Sequence, residues 1–232
     1  TAQKISLYSD PNVWETLHIY YMDHGGYTSA HGYGSRPFFT RDFIKGVPMV
    51  DSSYGFTPDN FSDIVQQVRQ TVGREDLHVA DIGGNTGLAL YDMQQAYPGF
   101  HTTNITITAE PAMWPVNEHV FVPAEYMPER FKNRFDLIFS NYAWTYFMYP
   151  DIAMKNLLQS LRIGGQAHIV FDIDRSPLKI SNKAELMQRA QFSFDLLDKL
   201  EANGLIKVKR KDSEVAIYSA QIEIEKLNDI KF

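Results

Sequence analysis

The chain of 232 residues contains no cysteine. That excludes disulfides, thiolate metal ligands and a cysteine nucleophile, and it fits a reducing compartment, so a cytoplasmic location is the expectation. No apolar run reaches the length of a membrane span and no signal peptide is visible at Thr1, so no membrane partner is expected. Positive charge is also short: 22 Lys plus Arg stand against 28 Asp plus Glu, a net of −6. Phosphate-backbone binding usually leaves a basic stripe. The one dense basic run, Lys207, Lys209, Arg210 and Lys211, reads as a solvated hairpin tip, and a nucleic-acid partner is disfavoured. Internal repeats and low-complexity tracts are lacking too, while the length suffices for one large hydrophobic core.

What the chain does have is concentrated at 79–87, Val-Ala-Asp-Ile-Gly-Gly-Asn-Thr-Gly. An apolar strand runs into a glycine-containing turn, and a helical pattern from Leu88 to Ala96 follows directly. That order sets bare backbone at a helix N-terminus, where a ligand can approach closely. Glycine permits positive φ and places no Cβ in the way, and Asn85 is among the residues that tolerate left-handed backbone. The same turn also occurs as a plain strand-to-helix connection, so the rest of the chain must decide its meaning.

From Val79 onward strands alternate with helices, which predicts a parallel sheet covered on both faces. A helix over 60–72 carries Phe61, Ile64, Val65, Val68 and Val72 on one side. Strands are expected at 78–82, 104–109, 120–122, 135–140 and 167–171. Asp151 is expected to cap a helix bearing Ile152, Met154, Leu157, Leu158 and Leu161. A long helix from Lys183 stops at Asn203-Gly204, and alternating stretches 205–211 and 215–225 predict an antiparallel pair.

The acidic-x-Gly-x-x-x-Gly run Asp81–Gly87 resembles the first motif of class I S-adenosylmethionine-dependent methyltransferases, with Asn85 where that family usually has its middle glycine. Further likenesses are Val122–Pro128 after the third strand, the Asp136-to-Asn141 run through the fourth, and the turn Leu161-Arg162-Ile163-Gly164-Gly165-Gln166. The resemblance covers about residues 60–228. It implies an α/β fold: a doubly wound, mostly parallel seven-stranded sheet, Rossmann-like, closing in an antiparallel C-terminal hairpin. Residues 60–232 would be the cofactor domain, with S-adenosylmethionine as cofactor. By the same resemblance Asp81 holds the turn or reaches the methionine ammonium, and Gly83, Gly84, Asn85 and Gly87 surround the amino-acid part. Glu110 would take both ribose hydroxyls, since one carboxylate can accept two hydrogen bonds. Pro123 stands where the family has an acidic residue, so the Ala124 amide or Glu125 would read the adenine. Ser140 and Asn141 would line the methionine end. Tyr142, Trp144 and Tyr146 are candidates for an aromatic acceptor pocket, with one of them turned into the core.

The segment 1–59 matches no family; it is rich in Tyr, His and Gly, and is expected to serve as a lid or substrate cap. His31, with Gly32 and Gly34 beside it to give it room to approach, is the candidate general base there. Asp172 and Asp174 lack a second cluster of ligands, so no metal is expected. The function so implied is methyl transfer to oxygen or nitrogen of a small or medium organic acceptor, with a protein side chain as the other acceptor class. Asn85 and Pro123 also suit a cofactor-binding regulatory or scaffold domain without activity. A nicotinamide-dependent oxidoreductase fits less well, because the pyrophosphate glycine spacing and a Tyr-x-x-x-Lys run are missing.

Overall fold

Helix α1 (Phe61–Val72) carries its apolar residues at helical spacing and buries Phe61, Ile64, Val65 and Val68. It stops at Gly73, whose φ of 71° suits the left-handed position just past a helix end. The computed structural model of the chain describes residues 61–84, 86–107, 113–140, 143–172, 183–212 and 219–232. The expected N-terminal lid with His31, and also Asn85, Glu110, Asn141 and Tyr142, lie outside the described residues.

After α1 come β1 (His78–Ile82), α2 (Leu88–Ala96), β2 (His101–Thr106) and β3 (Glu118–Phe121). They are followed by β4 (Phe135–Ser140), α3 (Pro150–Ser160), β5 (Leu161–Asp172), α4 (Lys183–Ala202), β6 (Ile206–Asp212) and β7 (Ser219–Lys226). Among the described residues seven strands form one sheet in the order β3-β2-β1-β4-β5-β7-β6. β1 to β5 are parallel, and β7 runs antiparallel to both β5 and β6. The expected C-terminal hairpin is therefore present, and its second strand is the one inserted beside β5.

Both faces are covered, which is why β4 is buried at every position. On one face Leu77, Val79, Leu137 and Phe139 pack with α1 and with Leu90 and Met93 of α2. On the other, Ala80, Ile138, Ile169, Phe171, Ile222 and Ile224 pack with α3 and α4. Among the described residues no helix is long and apolar enough to cross a membrane.

Three expectations shift. β2 lies at His101–Thr106, three residues ahead of the 104–109 expected, because Thr102 and Thr103 are buried and Thr102 is pinned by Asn117. The cap of α3 is Tyr149, not Asp151: Pro150 has no N–H to satisfy and takes the first turn, while Asp151 pairs with Arg189 at 3.4 Å. The Gly164-Gly165 turn falls within β5 as an irregularity, with Phe135 facing Leu161 but Leu137 facing Gln166. A Cβ on Gly165 would lie 2.9–3.1 Å from three backbone carbonyls, so only glycine fits.

Candidate functional site

From β1 the chain moves outward to β2 and β3, then returns to β4 on the other side of β1. A sheet whose order reverses in this way opens a crevice beyond the carboxyl ends of the two strands at the reversal. Here those are β1, leading into the glycine turn, and β4, ending in Ser140.

The glycines of the turn are required by the protein's own packing. Gly83 and Gly87 have φ of 81° and 80°, and α2 begins straight after Gly87. A Cβ on Gly83 would fall on the Ala143 methyl group. One on Gly84 would strike Asn104 Oδ1 and lie 2.8 Å from Asp81 Cγ. Inside the turn, Gly83 N–H donates to the Ile105 carbonyl at 2.7 Å and Gly87 N–H to the Gly84 carbonyl at 2.9 Å. The turn is thus clamped to β2, and Ala143, Asn104, Asp81 and His119 take the places where a Cβ would stand at Gly83, Gly84 and Gly87.

Asp81 is 1% exposed and sits beneath Gly84, at the end of β1. Its strand partners are Asn104 on β2 and Phe139 on β4, and the same row continues to His119 on β3 and His168 on β5. Registered partners share a face, so an acid, an amide and an imidazole line up under the turn. Burial lowers the His168 pKa to about 4 and keeps that ring neutral, with Lys209 acting the same way and Glu223 against it.

Ser140 is buried and its Oγ donates to the Ile82 carbonyl at 2.8 Å, tying β4 to β1 at the crevice. Ala124 and Glu125 lie in a short 3-10 turn after β3, both buried. The Ala124 carbonyl accepts from Asn156 Nδ2 at 2.9 Å. Glu125 Oε1 accepts from the amides of Met148 and Tyr149 at 3.0 and 3.2 Å, so this carboxylate holds the start of α3. Trp144 is wholly buried between Phe147 and Phe171, with ring centroids 4.9 and 5.1 Å away, and so enters the core. Asp81, Gly83, Gly84, Gly87 and Ser140 are thus brought together at the strand ends, while Ala124 and Glu125 stand beyond β3.

Sequence reasoning missed Asn104, His119 and Trp114. Trp114 N–H donates to the Thr86 carbonyl at 2.9 Å, and its ring lies 5.0 Å from that of Tyr91. The one available signal was Asn104 itself, a poor strand former in a Thr-Ile run and fully buried.

No family model matches the chain, and no curated protein is similar to it. Among solved structures, the plantazolicin methyltransferase BpumL in complex with a monoazolic desmethylPZN analog and SAH is 14% identical. That likeness covers 98% of this chain and 95% of the other, with a TM-score of 0.52. The complex of BpumL with SAH is also 14% identical over 97% and 94% of the two chains, with a TM-score of 0.51. At such identity the likeness is one of fold. The described residues have the Rossmann-like fold of class I S-adenosylmethionine-dependent methyltransferases.

Proposed function

We propose that the protein transfers a methyl group from S-adenosylmethionine to oxygen or nitrogen of a small or medium organic acceptor. One observation carries the reading: a turn of three glycines at the reversal point of a sheet whose antiparallel β7 lies between β5 and β6. The fit to the cofactor rests on where that turn lies, beyond the carboxyl ends of β1 and β4 at the reversal of strand order, with the buried acid Asp81 beneath Gly84. BpumL, one of the fold neighbours, binds SAH in its own crystals.

Asp81, Gly83, Gly84, Asn85 and Gly87 would hold the methionine end, together with Ser140 and Asn141. Glu110 would take the ribose hydroxyls. The Ala124 amide would face the adenine, and Glu125 would keep that segment in place through its bonds to Met148 and Tyr149. When bound, the cofactor supplies a sulfonium-activated methyl group. The protein's share is positioning, since in-line displacement gains much of its rate from alignment. His31 would accept the acceptor's proton, and Tyr142 would line the acceptor pocket.

Calorimetric titration with S-adenosylmethionine and with NADH tests the cofactor: binding of the first alone is expected. Radiolabelled methyl transfer into a cell extract then separates an enzyme from a regulatory domain that only binds. Saturable donor binding without any transfer would favour the latter. Undiminished turnover in His31→Ala would remove that base.

A further inference from the structure

Under the glycine turn, residues that the proposed function leaves unused form a chain of contacts. Trp114 N–H donates to the Thr86 carbonyl within the turn at 2.9 Å. The Trp114 carbonyl in turn lies 2.8 Å from His119 Nε2, and His119 Nδ1 lies 3.2 Å from Asn104 Nδ2. A carbonyl can only accept, so Nε2 carries the imidazole proton. Nδ1 is then the bare nitrogen and accepts from the Asn104 amide. With Nδ2 turned to the histidine, Asn104 Oδ1 is left against Gly84. At Gly87 a Cβ would lie 3.2 Å from both Asn104 Nδ2 and His119 Cε1. The path runs from the turn through Trp114, His119 and Asn104 and back to the turn.

We propose that His119 is a positioning residue for the donor site: as the Nε2–H tautomer it holds Asn104 and the 113–117 loop against the glycine turn, and protonation at Nδ1 breaks its bond with Asn104. A protonated ring would set two donors face to face, Nδ1–H against the Asn104 amide, and one of them must turn away. The inference rests on reading the turn as the S-adenosylmethionine site. Among the described residues, the groups facing the ring are Asn104 from β2, the Trp114 carbonyl from the loop, Gly87 from the turn and Phe121 on its own strand. Asp81 is the nearest charge in the same row, one strand beyond Asn104. Glu118, with its partners Arg130 and Arg134, belongs to the opposite face of β3.

The test uses the full chain and S-adenosylhomocysteine as probe. Calorimetry at about pH 7.5 and about pH 5.5 should show wild-type affinity falling about tenfold on acidification. His119→Phe keeps the ring but not the nitrogens; it should bind about tenfold more weakly at the higher pH and show little pH response. Asn104→Asp offers an acceptor to the protonated ring, so its response to pH should reverse in sign. Nitrogen-15 NMR of the ligand-free protein should give His119 as the Nε2–H tautomer. A wild-type affinity indifferent to pH, a His119→Phe slope equal to wild type, or the other tautomer would each overturn the positioning role alone. A wild type with the expected tautomer that binds no S-adenosylhomocysteine at either pH would overturn the donor-site reading and the role together.

Discussion

Gly83 and Ala143 press backbone to side chain where the turn after β1 meets the turn after β4: a methyl group on Gly83 would occupy the place of the Ala143 methyl. This contact joins the glycine turn to the segment after β4, and it explains why the first glycine cannot be exchanged for another small residue.

Gly83→Ala is expected to suffer twice, from a φ of 81° and from the clash with Ala143. Gly73→Ala is the control, since its φ is 71° but nothing lies within 4 Å of the new methyl. The control should lose about 1 kcal/mol and Gly83→Ala at least about twice that, read by urea denaturation. Equal losses would show that the Ala143 contact does not constrain the turn.

Asp81→Ala and Glu110→Ala should each weaken S-adenosylhomocysteine binding by about tenfold or more, the loss of one charge-assisted hydrogen bond. Circular dichroism should report both variants folded. Affinity unchanged in both would remove the site assignment.

His168 gives a pH dependence of stability with a definite sign. Burial lowers its pKa from 6.5 in the free side chain to about 4, so the unfolded chain binds a proton between those values that the native chain does not. Its contribution is complete above pH 6.5, is lost as the pH falls through the window, and is absent below about pH 4. The amount is about 3 kcal/mol. His78, whose pKa is lowered by burial first and then by Arg74, acts in the same direction. Denaturation of wild type and His168→Gln from neutral to acid pH isolates the first residue, because the second cancels in the difference. Parallel profiles for the two proteins would show that His168 is not buried neutral.

Asp136 accepts from the His78 amide at 2.7 Å and pairs with Arg74 and with Arg162, the latter at 3.3 Å. It is fully buried at the start of β4, whereas both arginines keep partial access to water. Asp136→Ala should therefore cost about 3 kcal/mol, the low end for a broken buried pair. Asp136→Asn retains an acceptor for the His78 amide and should lose less in the same urea experiment. An alanine variant as stable as wild type would mean that the arginines do not depend on this acid.

β1, α2 and β4 begin and end where their residues say they should, since each is a short apolar or amphipathic run bounded by a glycine turn or a change of period. β2 slipped by three residues because a Thr-Ile alternation reads alike in several registers, and only pairing with β1 and β3 selects one. Of the candidate site residues within the described parts, Asp81, Gly83, Gly84 and Gly87 were legible from spacing. The bonds that engage Ser140 and Glu125 were not, because their partners stand 58, 23 and 24 residues away along the chain.

By itself the sequence determined the local elements and the glycine turn, since apolar periodicity, caps and positive-φ positions act over a few neighbouring residues. Tertiary structure alone decided that Asp81, Asn104 and His119 share one row, that Glu125 braces a helix and that Trp144 enters the core. Those outcomes depend on strand order and register, and register is set by the burial of whole faces, which no short stretch of residues encodes.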